Sequence, residues 1–358
     1  MNTRALIAMS GGVDSSVAAY LMLQQGYECI GCTMKLYENT DAGIPQGHTC
    51  CSLTDIEDAS AVARSMGMPH YVFNFMHDFR EKIIDRFVES YVNGLTPNPC
   101  IDCNRYMKFD LLAERAADLG CDHVVTGHYA RIEKDNGRYL LKRALDPSKD
   151  QSYVLYTLDQ ETLEHTFFPL GGLSKTEVRR IAEEHHFVNA AKPDSQDICF
   201  VPDGDYARVV ELHSGRAALP GDFVDPSGKV LGQHKGIIRY TIGQRRGLGL
   251  PSSEPYYVCA IDPAANTVTL GRHEDLMKRG LGAGDFNWVA SEPPAVRFRC
   301  TAKIRYRHKE QPAEVSVSDD GSVRMVFDEP QRAITPGQAV VLYDGDIVLG
   351  GGTIQSVS

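Results

Sequence analysis

Ala5-Leu6-Ile7-Ala8-Met9 runs directly into Ser10-Gly11-Gly12-Val13-Asp14-Ser15-Ser16, and the reading of this junction decides the fold. A short apolar run bounded by a Ser-Gly-Gly turn predicts a buried strand, and Val17, Tyr20, Leu21 and Leu23 then follow a helical period that stops at Gly26. The order is strand, glycine turn, helix. The same alternation continues outward: strand Glu28–Met34, helix Asp55–Met66 ended by Gly67, strand His70–Phe75, helix Met107–Leu119 ended by Gly120, strand His123–Thr126. Strands that alternate with helices imply an α/β fold with a doubly wound parallel sheet. At a strand-to-helix glycine turn, backbone N–H groups and the positive helix end converge on one anion, an arrangement suited to pyrophosphate. Ser15 and Ser16 supply hydroxyl donors, and Asp14 is placed to hold Mg²⁺ or cap the helix. No lysine follows in the Walker position.

Further along, Asp135-Asn136-Gly137 between Arg131–Ile132 and Tyr139–Lys142 predicts a β-hairpin outside the parallel sheet. Ser174-Lys175-Thr176-Glu177 has capping-box spacing, which predicts a helix to about His185. Beyond a last helical stretch at Asp205–His213, the chain from Pro220 to Ser358 reads as short β-rich runs separated by turns. Arg279–Gly284 (RGLGAG) reads as a linker dividing this all-β part into a small module and a terminal barrel or sandwich.

The chain has 358 residues, 42% of them hydrophobic and 23% charged, which is ordinary globular composition and excludes disordered, collagen-like and coiled-coil classes. A net charge of −10 argues against coating nucleic acid through bulk charge, so any polyanion must be held by local basic patches. No stretch approaches the ~20 apolar residues that span a bilayer, and Met1–Arg4 lacks the layout of a secretory signal, so the expected location is the cytoplasm. There the ten cysteines are fillers, ligands or catalytic thiols rather than a disulfide framework. Cys29, Cys32, Cys121, Cys259 and Cys300 lie in or beside expected strands and read as packing. His48, Cys50 and Cys51 read as a surface loop.

The SGGVDSS string resembles the PP-loop of the ATP pyrophosphatase superfamily, whose members split ATP to AMP and pyrophosphate while adenylating an acceptor oxygen. Five further ordered strings narrow the resemblance: Thr96-Pro97-Asn98-Pro99-Cys100-Ile101-Asp102-Cys103-Asn104 with Lys108-Phe109, Gly127-His128-Tyr129-Ala130, Lys149-Asp150-Gln151-Ser152-Tyr153, Ser195-Gln196-Asp197-Ile198-Cys199-Phe200, and Tyr240–Gly249 (YTIGQRRGLG). Together they resemble the tRNA-specific 2-thiouridylases over nearly the whole chain. The resemblance implies a PP-loop catalytic domain over 1–204, a small β-rich connector over 205–278 and a tRNA-gripping β-barrel over 279–358. It implies ATP with Mg²⁺, held by Ala8, Met9, Ser10, Gly11, Gly12, Val13, Asp14, Ser15, Met34 and Gly127. Adenylation turns a uridine carbonyl oxygen into a leaving group that sulfur then displaces.

By resemblance, Cys199 carries the incoming persulfide sulfur and Cys103 attacks the persulfide, leaving a disulfide to be reduced. Cys100 stands where better-known members carry the Asp proposed for proton transfer, and Asp102 has a different offset. Cys100, Cys103 and Cys199 together resemble the ligand set of thiouridine synthetases that hold a [4Fe–4S] cluster, and a CxxC pair also serves redox chemistry or Zn²⁺. The implied partners are tRNAs of the Lys, Glu and Gln type and a sulfur donor such as a cysteine desulfurase or sulfur carrier. His128, Lys149, Asp150, Gln151 and Gln338 are expected near the anticodon, whose wobble base must be flipped to react.

Two stretches carry cations without acids: Gly228–Gly247, with Lys229, Lys235, Arg239, Arg245 and Arg246, and Arg297–Lys309. Strand alternation through the second would put Arg297, Arg299, Lys303, Arg305 and Arg307 on one face, and Arg305-Tyr306-Arg307 interleaves charge with a stacking ring. Two rival functions are a PP-loop ligase acting on a small molecule and an RNA-binding iron–sulfur sensor; the first leaves the cysteines idle and the second consumes no ATP.

Overall fold

The computed structural model describes residues 3–38, 53–194, 198–215 and 217–358. His48, Cys50, Cys51, Ser195, Gln196 and Asp197 lie outside these. β1 (Arg4–Ala8) is central because its run is apolar on both faces: Ala5, Leu6 and Ile7 are fully buried. It pairs in parallel with β2 (Glu28–Lys35) on one side and β4 (His123–Val125) on the other; β3 (His70–Asn74) and β7 (Thr166–Phe167) complete the parallel order β3-β2-β1-β4-β7. Helices α1 (Val13–Gln24) and α2 (Leu53–Ser65) follow β1 and β2. Cys29, Cys32 and Cys121 are buried here, and burial pushes the Cys29 thiol up to about 11.

The helix expected from Met107 begins much earlier. A helical run covers 99–118, with Pro99 at its first position and the Asn98 side chain accepting from the Cys100 amide at 3.2 Å. Its middle, Cys103–Leu111, has the wider π-helical pitch. Cys100 and Cys103 therefore sit on a helix.

The hairpin forms as expected, β5 (Ala130–Asp135) with β6 (Arg138–Arg143), through Asn136 and Gly137 at φ 48° and 81°. It reaches across to the C-terminal part, where Lys142 pairs with Ile347. The capping box at Ser174 is complete and starts the Lys175–Glu184 helix. After the Tyr206–Ser214 helix come β8 (Gly221–Val224), β9 (Val230–His234), β10 (Tyr257–Asp262) and β11 (Thr267–Gly271), ordered β10-β11-β8-β9.

The last six strands are β12 (Met277–Trp288), β13 (Arg297–Lys303), β14 (Gln311–Val317), β15 (Val323–Arg332), β16 (Ala339–Asp344) and β17 (Ile347–Val357); β12 pairs with both β15 and β17 and closes a barrel. Arg279–Gly284 is thus strand, not linker. Its glycines let β12 approach β17 closely: a Cβ on Gly282 would meet Ser356 Oγ at 2.6 Å. The single face expected for Arg297, Arg299, Lys303, Arg305 and Arg307 does not form, because β13 ends at Lys303 and Arg305–Arg307 lie in the following turn. Among the described residues no helix is long and apolar enough to cross a membrane.

Candidate active site

From Ala8 the chain turns through Met9–Gly12 into α1. Gly11 has φ +76°, and a Cβ there would lie 2.4 Å from the Asp55 carbonyl oxygen, so only glycine lets the first turn of α2 come this close. Gly127, just past β4, is equally constrained: a Cβ would lie 2.8 Å from the Ser15 amide nitrogen. Among the described residues the amides of Gly11 and Gly12 have no acceptor, and those of Val13, Asp14 and Ser15 precede the first helical bond, Ser16 to Gly12 at 3.4 Å. Among the described residues, five consecutive donors are therefore left without a backbone acceptor at the positive end of α1. The serine hydroxyls are spent differently from expectation. Ser15 Oγ accepts from the Ser10 amide and donates to the Gly12 carbonyl, and Ser16 Oγ donates to that carbonyl too. They build the turn and leave the amides for the anion.

The cations of this site come from far downstream. Lys175 Nζ bonds both Asp14 oxygens, at 2.7 and 2.8 Å, and Asp194 at 2.8 Å. Tyr129 donates its hydroxyl to Asp14 at 2.8 Å. Asp194 also holds Lys149 at 2.8 Å and Arg179 at 3.0 Å. Desolvation alone would raise the Asp194 carboxyl, but hydrogen bonds from Lys149 and Lys175 hold it down at about 2. Lys192 reaches the Gly11 carbonyl at 3.3 Å and pairs with Asp55 and Asp58; buried Asn189 donates to the same carbonyl at 3.0 Å. None of Lys175, Lys192, Tyr129, Asn189 or Asp194 was singled out from sequence as a site residue. Their separation from the loop by more than a hundred positions leaves no spacing signal.

The Tyr37 hydroxyl, just past β2, donates to the Cys199 carbonyl at 2.6 Å, while Phe200 is buried edge-on against Phe79 and Phe87. Cys199 is thereby fixed at the carboxyl edge of the sheet, beyond β2. On the other side, Lys108 of the 99–118 helix meets His128 Nε2 at 3.3 Å, beyond β4. An ammonium only donates, so Nε2 accepts, and the protonated Nδ1 donates to Thr126 Oγ1 at 2.7 Å. Burial, helped by Lys108, holds His128 well below the usual imidazole range and keeps it neutral. The Cys103 thiol is pushed up by burial; Lys108 opposes this and Asp102 adds to it. β2, β1 and β4 are neighbours in the sheet, so the Tyr37–Cys199 contact lies beyond β2 and the Lys108–His128 contact beyond β4. Both cysteines pack against the same hydrophobic cluster. Met34, near the end of β2, packs there too.

The residues expected on the anticodon have internal duties here. Asp150 accepts from Ala144, Ser152 N and Ser152 Oγ; Gln151 accepts from the Tyr129 amide; His128 is only 7% exposed. Gln338 donates to the carbonyls of Thr96, at 2.8 Å, and Pro97, at 3.3 Å. Arg305 donates to the Arg332 carbonyl. Tyr306 is 38% exposed and packs beside Tyr153, with Lys303 at 5.9 Å from its ring. Of the two basic stretches, Arg239 is paired with Glu211 and Arg299 with Asp328. Among the described residues no group of three His, Cys, Asp or Glu side chains is gathered as for a metal.

Three family models cover the chain in order: a tRNA methyl transferase HUP domain over residues 3–203, a tRNA methyl transferase PRC-barrel domain over 209–272 and an aminomethyltransferase beta-barrel domain over 278–354. Those descriptions speak of methyl transfer, whereas the full-length relatives do not. A tRNA-specific 2-thiouridylase MnmA of Clostridioides difficile is 52% identical, the alignment covering 99% of both chains. Those of Symbiobacterium thermophilum and Carboxydothermus hydrogenoformans are 51% and 50% identical, over 98% of this chain and 92% and 97% of theirs. With identity at this level from end to end, and a family model over residues 3–203 that covers the glycine turn and its parallel sheet, the chain belongs to the tRNA-specific 2-thiouridylase family.

Proposed function

We propose that this protein replaces oxygen by sulfur at carbon 2 of the wobble uridine of tRNA, consuming ATP. The observation that supports the reading is that Cys103 and Cys199 pack against one hydrophobic cluster that includes Leu6 of β1, the strand leading into the glycine turn with its unbonded amides. The uridine O2 attacks the α-phosphorus; the bond to the bridging oxygen breaks, its electron pair leaves with pyrophosphate, and the N3 proton is lost. A sulfur carried as a persulfide on Cys199 then attacks C2, and the C2–O bond breaks with AMP as leaving group. Cys103 thiolate attacks Cys199 Sγ, the S–S bond of the persulfide breaks towards the transferred sulfur, and a Cys103–Cys199 disulfide remains for an external thiol to reduce.

Ala8, Met9, Met34 and Gly127 frame the nucleotide, and the loop amides take its phosphates. Magnesium travels with those phosphates. Both Asp14 oxygens are already engaged by Lys175, and Tyr129 shares one of them, so Asp14 is not a ready metal ligand. A [4Fe–4S] cluster would need Cys100, Cys103 and Cys199 together. These three are the right donors in kind, but no such trio is gathered among the described residues, and no step is routed through a cluster.

Tyr306, Lys303, Arg297 and Arg307 offer the barrel's stacking ring and cations to the anticodon arm. The division into an adenylating domain to 204, a connector to 278 and a barrel thereafter supports this reading, with tRNAs of the Lys, Glu and Gln type as substrates, a cysteine desulfurase or carrier as sulfur donor, and the cytoplasm as location. Cys103→Ser and Cys199→Ser are each expected to abolish thiouridine formation, read by mass spectrometry of the modified tRNA, while tRNA affinity stays within about twofold. Full activity in either variant would remove the persulfide assignment.

A further inference from the structure

We propose that Cys100 resolves the disulfide that turnover leaves between Cys103 and Cys199, so that Cys100 and Cys103 form a dithiol relay carrying the oxidation from the hydrophobic cluster to the surface. This rests on the persulfide reading of Cys103 and Cys199. Of these three residues only Cys100 is exposed; Cys103 and Cys199 are partly buried and pack against the core. A disulfide between those two is set against the core, which hinders attack by a reductant of protein size. The exposed thiol three residues before Cys103 offers the way out.

The first turn of the 99–118 helix places the pair for exchange. The Ile101 amide donates to the Asn98 carbonyl at 3.1 Å, and the Cys103 amide donates to the Cys100 carbonyl as well as to that of Pro99. Bonds from a residue to the third before it belong to the tighter 3₁₀ turn, in which side chains three apart eclipse. Cβ atoms three apart on an α-helix stand about 5–6 Å from each other and a disulfide draws them to about 4 Å, so a turn already tightening is where that closing needs least change. The Asn98 side chain, which accepts from the Cys100 amide, fixes this end of the segment. In the exchange the Cys100 thiol gives its proton to solvent and its thiolate attacks Cys103 Sγ. The bond from Cys103 to Cys199 breaks, its electron pair leaves on Cys199, and a Cys100–Cys103 disulfide remains. Cys199 is thereby returned as a thiolate for the next persulfide. An external dithiol then attacks Cys100 Sγ, Cys103 leaves as the thiol, and the dithiol is oxidised as the pair is reduced.

Full-length protein carrying the persulfide is given ATP and tRNA without reductant, quenched in acid, alkylated and mapped by peptide mass spectrometry, with thiouridine counted in the same sample. The expected end state is a peptide that contains Cys100 and Cys103 and lacks two hydrogens, with Cys199 alkylated. In Cys100→Ser a cross-link between Cys103 and Cys199 should replace it. With a dithiol protein as reductant, the steady-state rate of that variant should fall about tenfold or more below the parent, and dithiothreitol, small enough to reach the inner disulfide, should restore most of it. An unchanged rate with the dithiol protein overturns the proposal. Thiouridine formed with the Cys103–Cys199 cross-link as the parent's end state overturns the relay and leaves the sulfur-transfer reading standing; thiouridine formed with all three cysteines alkylated overturns both. If no thiouridine forms, the sulfur-transfer reading fails, and diamide oxidation of the protein alone decides the relay. The parent must then yield the Cys100–Cys103 disulfide and Cys100→Ser the Cys103–Cys199 one, and any other pattern overturns the proposal. Mapping of the parent needs no variant, so it decides even if Cys100→Ser does not fold.

Discussion

Cys103 is a nucleophile candidate in an environment that works against its thiolate. Burial raises its pKa and Asp102 raises it further, while Lys108, five residues along the π-helical segment, pulls it down. A raised pKa leaves little thiolate at neutral pH, and the reactive fraction grows as pH rises through it. Alkylation of Cys103 by iodoacetamide, followed peptide by peptide, should therefore still be climbing above pH 8. Lys108→Met removes the opposing charge, moves the curve to higher pH and lowers Cys103 labelling at pH 8 by about three- to tenfold. A Lys108→Met curve that coincides with the parent would show that the ammonium serves only His128. Asp102, the acidic residue nearest Cys100 in the sequence, is spent on Arg86 at 3.6 Å.

At the level of elements, the segment carrying the thiols was the one read least well. Thr96-Pro97-Asn98-Pro99 looks like a loop because each proline discourages helix before it, yet Asn98-Pro99 is also a cap followed by a first-turn proline, and the cap reading prevails. Asn98→Ala should cost about 1 kcal/mol, lowering the thermal midpoint of the catalytic domain by about 2–4 °C. It should slow thiolation while pyrophosphate affinity stays at the parent value, since the cap touches the Cys100 amide and not the glycine turn. The parallel strands, by contrast, were legible almost to the residue, because runs such as Ala5–Met9 are apolar on both faces and bounded by glycine. The RGLGAG stretch misled for the converse reason. Glycines there serve close packing of β12 on β17, and composition does not distinguish a flexible linker from two strands in intimate contact. Within the site, the adenylating turn was legible as a contiguous motif, while Lys175, Tyr129 and Asp194 were not, since only the folded chain brings them to Asp14.

Across the whole molecule, barrel and catalytic domain are joined at the loop that leads into the Cys103 helix. Gln338, just before β16, donates to the Thr96 and Pro97 carbonyls, the Thr96 amide donates to the Pro336 carbonyl at 3.1 Å, and Gly337 lies so close that a Cβ would stand 2.8 Å from the Thr96 nitrogen. A second tie runs through the hairpin, where Arg131 and Lys142 pair with Asp346, and Arg143 pairs with Glu310. A barrel seated on tRNA would thus set the position of the segment ahead of the thiols. Gln338→Ala leaves two carbonyls without their donor, a loss of about 1–3 kcal/mol confined to this junction. Hydrogen exchange at the Thr96 amide should quicken by about five- to a hundredfold, with kcat for thiolation falling and the KM for tRNA moving little. Were Thr96 exchange unchanged while tRNA affinity fell, the Gln338 side chain would be acting on the RNA directly, as the family resemblance implies, and the clamp between barrel and thiol helix would lose its function.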